Sequence, residues 1–103
     1  MIRVSIDSKN LEFRLDGHAE YAPEGQDIVC ASASMLVAML FEYVLRHTDD
    51  SDLSACELVP GHAELDVCPA RTDVLSGCIN VFEAAKCGFE LLAKHYPDNV
   101  IID

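Results

Sequence analysis

The sequence predicts a single α+β domain, in which a mixed or antiparallel sheet packs against two helices. Three features support this prediction: two pairs of short segments with alternating polar and apolar residues, two long segments with helical character, and a short apolar segment near residue 100. Alternation with a period of two is typical of half-buried strands, whereas a longer periodic segment indicates a helix. A chain of 103 residues has room for one hydrophobic core, so we expect residues 1–103 to form one domain in the order ββαββαβ.

The predicted strands follow from this alternation and from the turn residues between them. In the second strand, Phe13 and Leu15 alternate with charged residues, and Gly17 ends the pattern. Pro60 and Gly61 separate the third and fourth strands, because this dipeptide is typical of a turn. The predicted strands are residues 2–7, 10–16, 54–59, 63–68 and 100–102.

The first helix is predicted to begin after Asp27, a favourable N-cap, and to end at about His47. Its apolar residues occupy nearly all sides, and such a helix must be covered on both sides. We therefore predict a homodimer, with Met39 and Phe41 or their neighbours between the subunits. The uncharged segment from Ile28 to Phe41 is shorter than the roughly 20 apolar residues that span a bilayer, so we expect a buried helix.

The second helix is predicted from Thr72 to His95, and Pro97 follows its end. Its apolar residues recur at intervals of three and four positions, which places them on one face. This predicted stripe comprises Leu75, Cys78, Phe82, Ala85, Phe89, Leu92 and Tyr96.

The sequence is strongly acidic, with 18 acidic residues against 7 basic ones and a formal net charge of −11. Such a charge repels nucleic acid and favours a basic protein partner. The first ten residues alternate in polarity and contain no continuous apolar segment of the kind found in signal peptides. We therefore expect a cytoplasmic protein that binds neither nucleic acid nor a membrane.

The five cysteines are spaced irregularly, and no pair has the C-x-x-C spacing of many metal and redox sites. Their odd number and the expected reducing compartment argue against a disulfide framework. We predict no metal and no cofactor, and we expect most of the thiols, including Cys56, to be small core residues. Cys78 lies on the stripe of the second helix, Cys87 lies off that stripe, and Cys68 has the outward parity of its strand.

His18 and Cys30 are the strongest candidates for chemistry. An ordinary thiol with a pKa near 8.5 is only about 3% ionised at pH 7, so a nucleophilic cysteine needs assistance. The first turn of a helix favours an anion by only about 0.3–1 kcal/mol, whereas a nearby imidazolium has a larger effect. The imidazolium also holds the proton that the leaving amine requires. The loop between the two residues contains Pro23 and Gly25, which allow it to fold back and bring them together.

Spacing alone leaves structural alternatives open. Cys30 also fits a buried packing position, and His18 also fits an ordinary strand end. Asp27 could cap the first helix or orient His18. If Asp27 caps the N–H of Cys30, that N–H cannot also stabilise an oxyanion, and the sequence does not decide between these two roles.

The segment GHAEYAPEGQDIVCASAS resembles the signature of the ribosomal-processing cysteine protease family (Prp), and the resemblance extends over essentially the whole chain. The signature contains Gly-His-Ala, a Tyr-Ala pair, a glycine, and Asp-Ile-Val-Cys-Ala followed by a serine. The matching positions are Gly17, His18, Ala19, Tyr21, Ala22, Gly25, Asp27, Ile28, Val29, Cys30, Ala31 and Ser34. The chain departs from many relatives at Glu20, where they have glycine, and Pro23 stiffens the same loop.

The resemblance implies that Cys30 is the nucleophile and that His18 is the general base and acid. It implies a cytoplasmic homodimeric endopeptidase, without metal or cofactor, that removes the N-terminal extension of a basic large-subunit ribosomal protein (number twenty-seven). Cleavage would follow an aromatic pair before the ribosome matures. The substrate-binding loop would include Gly17, Ala19, Tyr21 and Gly25, and Asp27 would support it.

Two other functions are compatible with parts of the sequence. A non-catalytic ribosome-assembly factor that binds a basic ribosomal protein would explain the acidic charge and the apolar first helix, but it gives no reason for His18 and Cys30. A thiol redox sensor would require a resolving cysteine, and no cysteine is close to Cys30 in the sequence. For the protease, we expect residues 19–26 to form a mobile loop with Gly25 as its hinge.

Overall fold

The computed structural model describes residues 1–103 and confirms the predicted ββαββαβ order. A short 3-10 turn at Asp50–Asp52, which the sequence analysis did not predict, precedes the third strand. The strands and helices are β1 Ile2–Asp7, β2 Glu12–Asp16, α1 Ile28–His47, β3 Leu53–Val59, β4 His62–Val67, α2 Thr72–His95 and β5 Val100–Ile102.

The five strands form one mixed sheet in the order β3-β4-β2-β1-β5. Three of its four pairings are antiparallel, and β5 pairs in parallel with β1, with Ile2 opposite Val100. Just before β5, the side chain of Asn99 donates a hydrogen bond of 2.9 Å to the carbonyl oxygen of Ala19. The last strand is thereby tied to the segment that follows β2.

Both helices pack against the same face of the sheet. Phe13 of β2 lies at the centre of this contact, with its ring 6.4 Å from that of Phe41 in α1 and 5.8 Å from that of Phe89 in α2. All three side chains are buried, as expected for large aromatic residues that supply much of a small core. Phe41 is therefore enclosed within its own chain, and the prediction that it lies between subunits was wrong.

The other face of the sheet carries the charged residues of the alternating strands. On this face Arg14 of β2 forms a bidentate ion pair with Asp66 of β4, at 2.5 and 2.9 Å, and a third contact of 3.1 Å with Glu64. These pairs follow the register of the strands, in which Arg14 stands opposite Glu64. The same alternation continues along β4, where Leu65 and Val67 are buried and Glu64 and Asp66 lie on the outer face.

Helix α1 buries one face only. The helix has 20 residues, and its most apolar window has a mean hydropathy of 2.0, so by length and composition alone it could cross a membrane. The uncharged segment from Ile28 to Phe41, considered above, is too short to do so. One third of that window is buried within the domain. The exposed apolar side chains of α1 are Ile28, Met35, Met39 and Leu45.

Only one of the five cysteines, Cys78, is buried. Burial raises the pKa of the Cys78 thiol, with a smaller contribution from the charge of Asp52, so this thiol is un-ionised at neutral pH. Cys56 is exposed, contrary to the prediction that it lies in the core, because β3 is an edge strand and its outer half is uncovered on both faces. Cys68 and Cys87 are exposed, and Cys30 is half-buried.

Candidate active site

His18 lies immediately after β2, where Gly17 redirects the chain. Gly17 has a φ of +99°, and a side chain there would collide with the carbonyl oxygen of Met1. Glycine is therefore required both by the backbone angle and by the close approach of β1. The N–H of Gly17 donates a hydrogen bond of 2.9 Å to the carbonyl oxygen of Gly61, in the turn between β3 and β4.

Cys30 lies in the first turn of α1, and Asp27 holds this turn. One carboxylate oxygen of Asp27 accepts the N–H of Cys30 at 2.9 Å, and the other accepts the N–H groups of Tyr21 at 2.9 Å and Ala22 at 3.3 Å. Partial burial raises the pKa of Asp27, but these N–H groups together outweigh it and leave the pKa below its ordinary value. The Asp27 carboxylate is therefore ionised and joins the loop to the helix.

This geometry decides two questions that the sequence left open. Asp27 is the N-cap of α1, and its hydrogen bonds go to backbone N–H groups rather than to His18. Because the N–H of Cys30 is engaged by Asp27, it is unavailable to an oxyanion. Of the two roles that the sequence left open for this N–H, the structure therefore shows the helix cap.

His18 and Cys30 line the same open cavity, which has a volume of about 970 Å³. Its walls come from the end of β2, the loop of residues 20–27, the start of α1 and the β3–β4 turn. The cavity is large enough for several residues of an extended peptide, and its apolar wall includes Ile28, Leu58 and Val59, whose side chains are exposed. No pattern in the sequence predicted that these three residues line one cavity, because α1 and β3 come together only in the folded structure.

The residues of the predicted substrate-binding loop divide into two groups. Gly17 and Gly25 line the cavity, whereas Ala19 and Tyr21 do not. Ala19 is buried in the core. The ring of Tyr21 packs edge-on against Tyr96 at 5.3 Å, because the backbone of Tyr21 is fixed by Asp27 and its side chain is turned toward the end of α2.

A group of potential metal ligands lies close to the cavity. Donor atoms of Glu57, His62 and Glu64 lie within 4.8 Å of one another. However, Nδ1 of His62 is 2.6 Å from Asp16, and the hydrogen bond to Asp16 raises the pKa of His62. The Nε2 atom of His62 is also 3.6 Å from Glu64, so His62 links Asp16 at the end of β2 with Glu64 of β4.

Comparisons with known proteins identify the family of this chain. A family model described as "Cysteine protease Prp" matches residues 1–101. No curated protein matches the sequence closely enough to count as a relative.

Several solved structures share the fold. The essential ribosomal processing protease Prp from S. aureus, in complex with a covalently linked product peptide, is 22% identical with a TM-score of 0.80, over 100% of this chain and 98% of that one. The same protease with a substrate peptide is 18% identical with a TM-score of 0.74 and the same coverage. SMU.848 from Streptococcus mutans is 26% identical with a TM-score of 0.73, over 100% of this chain and 92% of that one.

The structural likeness supports the fold, and the family model identifies the kind of protein. The resemblance noted in the sequence is confirmed over nearly its whole length. The chain belongs to the Prp family and is a cysteine protease.

Proposed function

We propose that this protein removes the N-terminal extension of the large-subunit ribosomal protein number twenty-seven, by cutting after an aromatic pair during ribosome maturation. Membership in the Prp family supports this proposal, as does the description of the S. aureus relative as a ribosomal processing protease. The single observation that carries it is the presence of Cys30 and His18 on the wall of one peptide-sized cavity.

In the proposed reaction, His18 accepts the proton of the Cys30 thiol, and the thiolate attacks the scissile carbonyl carbon. The tetrahedral intermediate collapses as His18 donates this proton to the departing amine, which leaves an acyl-enzyme on Sγ of Cys30. Water, deprotonated by His18, then releases the new carboxylate and restores the thiol. No oxidant and no metal take part in this sequence of steps.

The oxyanion is stabilised by backbone N–H groups of the cavity wall that Asp27 does not engage. Asp27 instead fixes the position of Cys30 relative to the loop, because its carboxylate accepts hydrogen bonds from the N–H groups of both Cys30 and Tyr21. A backbone N–H group that points at the developing oxyanion lowers the activation free energy by about 2.7–4 kcal/mol.

The charge of the chain suits a basic substrate. The net charge is −11, and the exposed acidic residues Glu20 and Glu24 lie on the cavity wall. A basic peptide is attracted to such a surface, and this attraction weakens as the salt concentration rises.

The proposal is tested with purified ribosomal protein that carries its extension, incubated with the enzyme under reducing conditions. We expect one cut, directly after the aromatic pair, identified by the masses of both products. A substrate in which the aromatic pair is changed to two alanines is the control and should remain intact. Tight binding without any cut would contradict the proposal and favour the non-catalytic assembly factor.

We further propose that the protein acts in the cytoplasm as a homodimer, in which a second copy covers the groove between α1 and α2. Met35 and Leu91 line this groove and are the two most exposed large apolar residues of the chain, at 68% and 59%. Side chains of this kind, grouped on one surface, are typical of subunit interfaces.

Placing a charge in this groove should separate the subunits. We expect light scattering at micromolar concentration to report a dimer for the unchanged protein and a monomer for Met35→Glu. The same charge on the exposed edge strand, in Ser54→Glu, is the control and should leave the dimer intact. A monomeric unchanged protein would contradict the proposed dimer.

A further inference from the structure

We propose that the β3–β4 turn at Gly61 holds the imidazole of His18 in its working orientation, which makes Gly61 a positioning residue. This inference rests on the function proposed above and adds to it an element that is distant from His18 in the sequence. The sequence alone does not show that Gly61 and His18 are neighbours, because only the pairing of β2 with β4 brings them together.

The ring of His18 occupies the space in which a side chain of residue 61 would lie. An ideal Cβ built on Gly61 would be 2.8 Å from Nε2 and 3.3 Å from Cε1 of His18. Non-bonded heavy atoms normally pack at about 3.5–4.0 Å, so any side chain larger than hydrogen would displace the ring. Gly61 also has a φ of +79°, which non-glycine residues rarely adopt.

The turn is fixed to the segment that carries His18 at two adjacent points. The N–H of Gly17 donates to the carbonyl oxygen of Gly61 at 2.9 Å. Asp16 stands opposite His62 in the strand register, and their side chains form an ion pair of 2.6 Å. These two contacts join the residues just before His18 to Gly61 and His62. The backbone of His18 therefore keeps a fixed position relative to the turn on which its ring packs.

A general base must be held in one orientation, and in Ser-His-Asp triads a carboxylate bonded to the imidazole does this. Here no carboxylate forms a hydrogen bond or an ion pair with the ring of His18. Asp16 binds His62, and Asp27 binds backbone N–H groups. Glu20, two residues from His18, lies 3.8 Å from the N-terminal amine. We infer that packing of the ring against Gly61, which has no side chain, orients the imidazole in place of that hydrogen bond.

The test uses two substitutions of the turn and one matched control. Gly61→Ala adds one methyl group, and Gly61→Asn adds a residue that tolerates positive φ, so that backbone strain and collision with the ring can be separated. Gly77→Ala is the control, because a Cβ added at Gly77 also meets a side chain, at the hydroxyl group of Tyr43, but Gly77 does not line the cavity. Circular dichroism establishes that each variant is folded.

We expect the pH profile of Cys30 alkylation in both Gly61 variants to shift toward that of His18→Ala, while Gly77→Ala keeps the profile of the unchanged protein. In peptide cleavage, kcat should fall about 10- to 100-fold in the Gly61 variants with little change in KM, because a misplaced catalytic group slows the chemical step. A structural role alone would lower stability without moving the alkylation profile.

The inference is overturned if both Gly61 variants alkylate like the unchanged protein at every pH. That result would leave the protease function intact, whereas failure of the function itself would appear as an uncut ribosomal substrate. An experiment without any variant complements the test: the nuclear Overhauser spectrum of the unchanged protein should connect the ring Hε1 of His18 with the Hα protons of Gly61. The absence of this contact would also overturn the inference.

Discussion

Cys30→Ala should reduce peptide cleavage on the order of 10⁵- to 10⁶-fold, the loss seen when the nucleophile of a covalent protease is removed. The expected cause is chemical, because Cys30 is half-buried in the cavity wall and its side chain is not part of the fully buried core. Cys30→Ser should be nearly as inactive, since a serine hydroxyl is far less acidic than a thiol and His18 cannot ionise it as readily.

Cleavage is measured on a peptide that carries the aromatic pair, with product quantified by mass spectrometry. Cys87→Ala provides the matched control, because Cys87 is an exposed thiol on α2 that lies outside the cavity. Its activity should equal that of the unchanged protein. Appreciable activity in either Cys30 variant would show that another group is the nucleophile.

His18→Ala should have the second largest effect, a loss of cleavage of about 10²- to 10⁴-fold, which is the usual contribution of a general acid–base group. The variant should also alkylate more slowly at Cys30 near neutral pH, because an ordinary thiol is only about 3% ionised at pH 7 without an imidazolium nearby. The two readouts separate the roles of His18: alkylation reports ionisation of the thiol, and cleavage also requires proton donation to the leaving amine.

The control for His18→Ala is His47→Ala, because His47 is an exposed histidine at the far end of α1, where its ring stacks on Tyr43. We expect this control to keep both the alkylation rate and the cleavage rate. If His18→Ala left the alkylation rate of Cys30 unchanged, the two side chains would not interact, and the dyad would have to be abandoned.

The strands and helices were predictable because each is set by a local pattern. Alternation defined β2 and β4, and the start of α1 followed from Asp27, whose side chain does cap Cys30. The 3-10 turn at Asp50–Asp52 was not predicted, although it contains a local capping box in which the N–H of Asp49 donates to the carboxylate of Asp52 at 2.9 Å. A contact to a distant residue also holds it. The carboxylate of Asp52 accepts the N–H of Ala70, beyond the next two strands, and no local pattern encodes this contact.

Burial was less predictable than secondary structure, since burial depends on which elements lie next to each other. The parity of β3 placed Cys56 and Leu58 on one face, but the outer half of this edge strand extends beyond the cover of the helices and leaves both exposed. For the same reason, the sequence did not show which residues of α1 face the core, because apolar residues occupy nearly all sides of this helix.

The candidate site was only partly predictable. Its two reactive residues and its helix cap lie in one continuous segment of the sequence and match a family signature there. Gly61 and the apolar wall at Leu58 and Val59 reach the site only through the pairing of β3, β4 and β2. Tyr21 also belongs to the signature, but its ring packs on Tyr96, a contact that the signature does not predict.

The parallel pairing of β1 with β5 has a consequence for how this enzyme is made. It joins residues 2–4 to residues 100–102, so the sheet cannot be completed until nearly the whole sequence is available. Contacts of such long separation form slowly, because the intervening chain must be closed before they contribute. Ile2 lines the cavity, and Asn99 is bonded to Ala19 beside His18. We therefore expect the cavity to take its final form, and cleavage to begin, only once β5 has paired with β1.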